Sequence, residues 1–339
     1  MNKQVTIYDI ASKLNVSPST VSRALNNSKY VNKNTRKLIK QEAEKLGYKP
    51  NSFAVGLRNN QSNTIGILIS RINRSFNSTL ISGVESTARK AGYNVIICQS
   101  NDSYENEVKG AEALLSSRVV GLIVSLGMET NNYDHFKPFF DSKTPVVFVD
   151  RVPLLDSYKV VIDDYKAGYE AVEHLIKKGC KRIALFTGSQ NRNVYLDRKR
   201  GYIQALKDNK IPIDDSIIFV LKTLSAEEGE KATKKVMSMK NPPDAIFSTN
   251  DTAAVSAILT AKKLGFKIPE QLKIIGFNND PISTIVEPTL STIAHPYEKM
   301  GEIAAKKILN HLDQNQEIDK DVSEVTILKT RLVERDSTK

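Results

Sequence analysis

Residues 17–26 (SPSTVSRALN) set Ser17, Ser19, Thr20, Ser22, Arg23 and Asn26 into one short stretch. Hydroxyls and amides both donate and accept hydrogen bonds, and a guanidinium donates in a fork that matches phosphate oxygens. Such a set suits base edges and the nucleic-acid backbone. A second, looser group is scattered behind apolar runs: Arg71, Asn73, Arg74 and Phe76, then Asp150, Arg198, Asn250, Asp251 and Asn278. Carboxylates and amides accept from sugar hydroxyls, arginines grip hydroxyls or anions, and Phe76 offers a face for a sugar ring or a base. The competing reading of each is a loop residue that caps a helix or faces water. It weighs most for Asn250 and Asp251, because Asn or Asp before an apolar helix is also a capping signature. Catalytic signatures are missing: there is no GxSxG, GxxxxGK[ST], HExxH, CxxC or GxGxxG. His135, His174, His295 and His311 show no metal-ligand spacing. No enzymatic activity, metal or cofactor is therefore expected.

The first constellation needs a helix to present it. Ser17 is a good N-cap and Pro18 fits the first helical position, where no amide hydrogen is needed. Val21, Ala24 and Leu25 then share one face, which leaves the polar residues on the other. Upstream, Thr6 and Asp9 have capping-box spacing, and Ile7, Ile10, Ala11 and Leu14 form an apolar helical face. Asn15 suits the left-handed turn between the two helices. A third helix runs from about Asn32 through Leu46, with Gly47 as its C-terminal cap. Two short helices joined by a tight turn make a helix-turn-helix, whose second helix enters the DNA major groove.

Charge points the same way. Residues 1–60 hold 11 basic against three acidic residues, so +8 of the chain's +11 sits there and +3 is left for the other 279 residues. A basic head on a nearly neutral body indicates a polyanion-binding module joined to something else. No run of 18 apolar residues and no secretory signal pattern appears, and Cys98 and Cys180 read as reduced thiols. A cytoplasmic protein with no membrane contact is expected.

From Thr64 onward, apolar runs at 64–70, 94–98, 119–125, 146–150, 159–163, 182–187, 244–249 and 273–277 alternate with helical patterns such as Leu80–Ala91, Ala167–Lys178 and Thr252–Leu264. That rhythm predicts parallel sheets covered on both faces, in two similar lobes, with ligands at the carboxyl ends of the strands.

The stretches VTIYDIASKLNVSPSTVSRALNN, TRKLIKQEAEKLGYKPN and TIGILIS together resemble the lactose/galactose-repressor (LacI/GalR) family of bacterial transcription regulators. The resemblance extends over essentially the whole chain. It implies an all-α helix-turn-helix head (1–49), a hinge helix and linker (50–61) and a two-lobed, periplasmic-binding-protein-like α/β effector domain with parallel sheets (62–339). The N-lobe is expected at about 62–161 and 291–323, and the C-lobe at about 162–290 and 324–339. Lobe crossings are expected near 160–163, 290–293 and 322–325. In the head, the resemblance makes Thr6, Ser17, Pro18, Ser19, Thr20, Ser22, Arg23 and Asn26 DNA-contacting residues, with Pro18 and Ser19 choosing bases. Asn51, Ala54, Leu57 and Arg58 fall in the hinge, where Leu57 matches a minor-groove wedge and Gly56 costs about 1 kcal/mol of helix stability. Arg198 matches the family's cleft arginine, and Asn250–Asp251 its strand-end Asn-Asp. Asn278 stands where many members carry a ligand-binding aspartate. Its missing charge, beside Arg71 and Arg74, suggests tolerance for an anionic ligand. The implied protein is a homodimeric repressor of a pseudo-palindromic operator, controlled by a sugar or sugar phosphate. No tetramerising leucine-heptad extension is seen. Alternatives are control by a protein corepressor or, less favoured, a sugar-binding protein with no regulatory role.

Overall fold

The computed structural model describes residues 5–25, 27–48, 62–313 and 324–339. The chain divides into two compact units, residues 1–62 and 63–339. The expected hinge residues Asn51, Ala54, Gly56, Leu57 and Arg58, and also Asn26, lie outside the described residues.

The head contains α1 (Ile7–Leu14), α2 (Pro18–Leu25) and α3 (Lys33–Lys45). Their apolar stripes close on a small core of Ile10, Ala11, Val21, Ala24, Val31, Ile39 and Ala43. The Asp9 carboxylate accepts from the Thr6 backbone N–H and hydroxyl, both at 2.7 Å, which organises the start of α1. Asn15 takes φ 49° and Gly47 φ 66°, the left-handed values their positions require.

The body runs β1 (Thr64–Ile69), α4 (Ser75–Lys90), β2 (Asn94–Gln99), α5 (Tyr104–Ser116), β3 (Gly121–Val124), α6 (Lys137–Asp141), β4 (Val146–Val149) and β5 (Tyr158–Ile162). It continues with α7 (Asp164–Lys177), β6 (Ile183–Thr187), α8 (Asn193–Asp208), β7 (Ile218–Val220), α9 (Ala226–Met237), β8 (Ala245–Ser248), α10 (Asp251–Lys263) and β9 (Lys273–Asn278). Last come α11 (Ile282–Ile285), β10 (Ser291–Ala294), α12 (Tyr297–Asp313), β11 (Val325–Leu328) and β12 (Arg331–Val333). The strands form two six-stranded sheets, ordered β11-β5-β4-β3-β1-β2 and β12-β10-β9-β8-β6-β7. Every pairing is parallel except that of β10 with β12. Central strands β3, β4 and β8 are wholly buried, as continuous apolar runs covered on both faces should be.

Sheet membership corrects two of the expected lobe boundaries. β10 pairs with β9, so residues 291–294 belong to the C-lobe and the second crossing falls at 295–296. β11 pairs with β5, so 325–328 belong to the N-lobe and the third crossing falls at 329–330. Both strands are only four residues long, and hydrophobic alternation says nothing about which sheet a short segment joins.

The same packing device holds one helix pair in each lobe. A Cβ built on Gly83 would sit 2.1 Å from the Glu298 carbonyl oxygen, and one on Gly201 would sit 2.1 Å from that of Tyr165. Backbones therefore touch where α4 meets α12 and where α7 meets α8. These contacts pin the helices that carry Tyr297 and Arg198 into the cleft between the lobes.

Candidate functional site

In the head, Ser17 caps α2 by accepting from the Thr20 N–H at 3.1 Å, and its Oγ lies 2.8 Å from both the Ser19 and Thr20 hydroxyl oxygens. Pro18 is the first residue of α2. Val21 and Ala24 point into the core, whereas Ser19 and Arg23 are exposed and Thr20 and Ser22 half-exposed. The expected recognition face is thus turned to solvent. Part of the basic charge builds the head instead. Arg36 donates to the carbonyls of Ser28 and Val31 (2.6 and 3.1 Å), fixing the loop before α3. Lys40 donates to Asn27 and Lys13 pairs with Glu42. Two residues went unnoticed in the sequence, Tyr8 (68% exposed) and Tyr30 (91% exposed). Tyr8 is out of phase with the apolar stripe of α1, and that was the available signal.

The body's candidates converge on a cleft between the lobes. From the N-lobe it is lined by Ser70 and Arg71 after β1, Arg74 and Phe76 at the start of α4, Asp102 after β2, Met128 after β3, and Asp150 and Arg151 after β4. The C-lobe contributes Val194, Tyr195 and Arg198 from α8, Thr223 and Leu224 after β7, Thr249, Asn250 and Thr252 after β8, and Asn278 and Asp280 at the end of β9. Tyr297, just past the second crossing, closes the floor. Carboxyl ends of parallel strands are where such sheets place ligands, because the chain turns there into loops and helix N-termini.

The structure brings together Arg71, Arg74, Phe76, Asp150, Arg198, Asn250 and Asn278. It does not bring Asn73 or Asp251 to the cleft. Asn73 is exposed in the turn before α4; beside it, buried Asn77 donates to the Arg71 carbonyl at 2.7 Å and shapes that turn. Asp251 is fully buried behind the cleft. It accepts from the Thr292 hydroxyl and the Asp280 N–H, both at 2.7 Å, and burial pushes its carboxyl up to about 8. Asn250 lines the cleft, yet its side chain is engaged at both ends. It caps α10 by accepting from Ala253 N and donates to the Leu224 carbonyl.

Arg198 is 3% exposed. Its Nε donates to Asp164 at 2.7 Å, its Nη1 donates to the Thr249 carbonyl at 2.9 Å, and its guanidinium lies 3.6 Å over the Phe277 ring. Burial drives the Asp164 carboxyl up to about 7 against the pull of Arg198. Asp150 takes φ 58°, and its Oδ1 lies 3.6 Å from His295, which stacks on Tyr297 at 3.5 Å. Burial lowers His295 towards its neutral form.

Arg151, Asp102 and Asp280 were missed in the sequence. Arg151 donates to Asp102 at 2.6 Å and to the Tyr195 hydroxyl of the opposite lobe at 3.1 Å. Asp102 also accepts from Arg71 at 3.1 Å. Burial opposes ionisation of Asp102, but its two arginines outweigh it and hold the carboxyl below its usual range. Asn278 sits at φ 116° and accepts from the Tyr297 hydroxyl at 3.2 Å. Its side chain also hydrogen-bonds Asp280, which burial raises to about 6. The negative charge missing at position 278 thus returns two residues later. The strand-end rule covered all three residues, but nothing local separated them from other loop polar residues.

Lobes can also touch directly, without a ligand between them. Asn193 of α8 accepts from the Val152 N–H at 3.0 Å and donates to the Asp150 carbonyl at 2.9 Å. Buried Arg192 donates to the Thr130 carbonyl.

Comparison with known proteins agrees with this geometry. Residues 6–51 match the family described as bacterial regulatory proteins, lacI family, and residues 172–338 match the periplasmic binding protein-like domain. The chain is 34% identical to the NTD biosynthesis operon regulator NtdR of Bacillus subtilis (strain 168), over 98% of this chain and 99% of that one. It is 32% identical to catabolite control protein A of Priestia megaterium over 99% of both chains. Among solved structures, the lac repressor dimer bound to operator and the anti-inducer ONPF superposes with a TM-score of 0.86, at 25% identity and 99% coverage of both chains. With a helix-turn-helix head and a two-lobed body of this kind, the chain belongs to the LacI family and is a DNA-binding transcriptional regulator, not an enzyme.

Proposed function

We propose that this regulator is a cytoplasmic homodimeric repressor whose operator affinity is set by a small polyhydroxyl effector, a sugar or sugar derivative, held in the cleft of the body. The observation that carries this reading is the convergence of Phe76, Arg151 and Asp150 from one lobe with Tyr195, Arg198 and Asn278 from the other. Aromatic faces beside fixed polar groups suit a sugar ring, whose faces are apolar and whose edges carry hydroxyls. Relatives support the ligand class. A LacI-family regulator from Enterococcus faecium carries bound ribose (26% identity, TM-score 0.71), and one from Alkaliphilus metalliredigens was solved with D-xylulofuranose (26%, 0.71).

In this reading Ser17 and, from α2, Pro18, Ser19, Thr20, Ser22 and Arg23 contact a half-site, together with Asn26, and Thr6 contacts the backbone. Paired hinges place Asn51, Ala54 and Arg58 at the minor groove and wedge Leu57 into the operator centre. An effector that contacts both lobes changes their closure, and the dimer converts that change into hinge order or disorder. The coupling is worth about 1–3 kcal/mol. The test is a thermal-shift screen of pentoses, hexoses and their phosphates, followed by operator titration with each hit. The expected result is a ligand that raises the melting temperature and shifts operator affinity 5- to 150-fold. Operator binding that responds to no sugar, but does respond to a protein captured from cell extract, refutes the small-molecule reading.

A further inference from the structure

Four arginines line the cleft, and by count alone they describe an anion site. Their hydrogen bonds describe something else. Arg71 and Arg151 clasp Asp102 from two sides, Arg198 is spent on Asp164 and the Thr249 carbonyl, and Arg74 donates across the cleft to the Thr223 carbonyl. Three of the four guanidiniums thus already hold a carboxylate, Arg71 and Arg151 sharing Asp102 and Arg198 taking Asp164.

The acceptors are less well served. Asp150 Oδ1 is buried with no hydrogen-bond partner nearer than His295 Nε2 at 3.6 Å, and the buried Thr249 hydroxyl, which can donate or accept, has no partner among the described residues. The half-buried Asp280 lines the cleft, and its carboxylate hydrogen-bonds the Asn278 side chain. A buried acceptor without a donor carries the full cost of its lost hydration. A phosphate or carboxylate brings acceptors alone, whereas a hydroxyl brings a donor and an ammonium brings three donors and no acceptor.

We propose that the cleft selects hydrogen-bond donors, and that it prefers an amine-bearing polyhydroxyl ligand to a phosphorylated or carboxylated one. Asp280 receives the ammonium, and Asp150 receives a hydroxyl. Asp150 already feels the positive charge of Arg198 and Arg151, so it has less need of a second cation. Arg74 is the cation that acts on Asp280, no ion pair forms between the two among the described residues, and buried Asp251 stands behind Asp280. This proposal rests on the sugar-effector reading and sharpens its ligand class. It reverses the anion tolerance expected from Asn278 alone.

The test is calorimetry on the full chain with D-glucose, D-glucosamine and D-glucose 6-phosphate, and with D-ribose against D-ribose 5-phosphate. Glucosamine is expected to bind at least about tenfold tighter than glucose, because hydrogen bonds to charged groups are the stronger ones. Each phosphate is expected to bind more weakly than its parent sugar. Asp280→Asn should bring glucosamine down to the affinity of glucose, and Asp280→Glu should keep the preference, with melting curves confirming that both variants fold. A phosphate that binds as tightly as its parent sugar overturns the proposal, and so does an amine preference that survives Asp280→Asn. Both outcomes leave the sugar-effector reading standing. If none of the five probes binds while operator binding is intact, the proposal falls, and the sugar-effector reading is judged by the wider thermal-shift screen.

Discussion

Head and body use charge in opposite ways. The head keeps most of its charged side chains at the surface, drawing in only Glu42 and part of Arg36, and fills a seven-residue core with apolar groups alone. The body buries a few of its charges at the cleft. Arg198 and Asp164 have side chains 4% and 5% exposed, and Arg151 shares Asp102 with Arg71 at the cleft wall. Exposed charge in high dielectric acts at long range and suits a polyanion of any sequence. Buried charge must be paired, so it acts at contact range and suits one small ligand. The net charges of the two regions, +8 and +3, are therefore less telling than where each sits.

Salt is the sharpest way to break this contrast. With six to ten phosphate contacts, operator affinity should fall about 10³- to 10⁵-fold between 50 and 200 mM salt, whereas affinity for a sugar should scarcely move. Comparable slopes in the two titrations would erase the distinction. Next in size, Arg198→Ala leaves Asp164 buried without its partner and should destabilise the body by about 3–5 kcal/mol in a denaturant melt. A loss below about 1 kcal/mol would mean that water reaches Asp164.

Arg23 tests the head alone. Arg23→Ala should weaken operator binding by about 1–3 kcal/mol and leave the melting of the body unchanged. A pH scan tests Asp251, which belongs to the body alone. Its folded pKa of about 8 lies above the usual carboxylate value, so the native state holds a proton that the unfolded chain releases. The stability it contributes is complete at acid pH and is lost as pH rises through about 8. Asp251→Asn cannot titrate, so its melting temperature should fall less between pH 5 and 9 than that of the parent protein. Parallel curves would show that Asp251 is ionised throughout.

Much of the architecture was legible because periodicity is a local property. The strand runs at 64–70, 146–150 and 182–187 each contain an observed strand, that at 273–277 falls one residue short of β9, and the three head helices fall where their apolar faces and caps put them. Helix starts were less visible. The helix read from Leu80 begins at Ser75, because its first turn is mostly polar and only Phe76 shows the apolar phase. In the cleft, Arg198 was found by its surroundings in YLDRKRGY. Asn250 lines the cleft while its side chain caps α10, as the capping reading expects.

By itself, the sequence determined that a basic helix-turn-helix precedes a nearly neutral pair of α/β lobes, and that polar residues gather at strand ends. Both follow from neighbours along the chain, where a period of 2 or 3.6 and a cap residue act over a few positions. Tertiary structure decided which lobe takes β10 and β11, which carboxylate each arginine holds, and which acceptors are left over in the cleft. Those are pairings between residues tens to more than a hundred positions apart, such as Arg151 with Asp102 or Tyr297 with Asn278. They depend on sheet order and lobe closure, which no local pattern in the chain records.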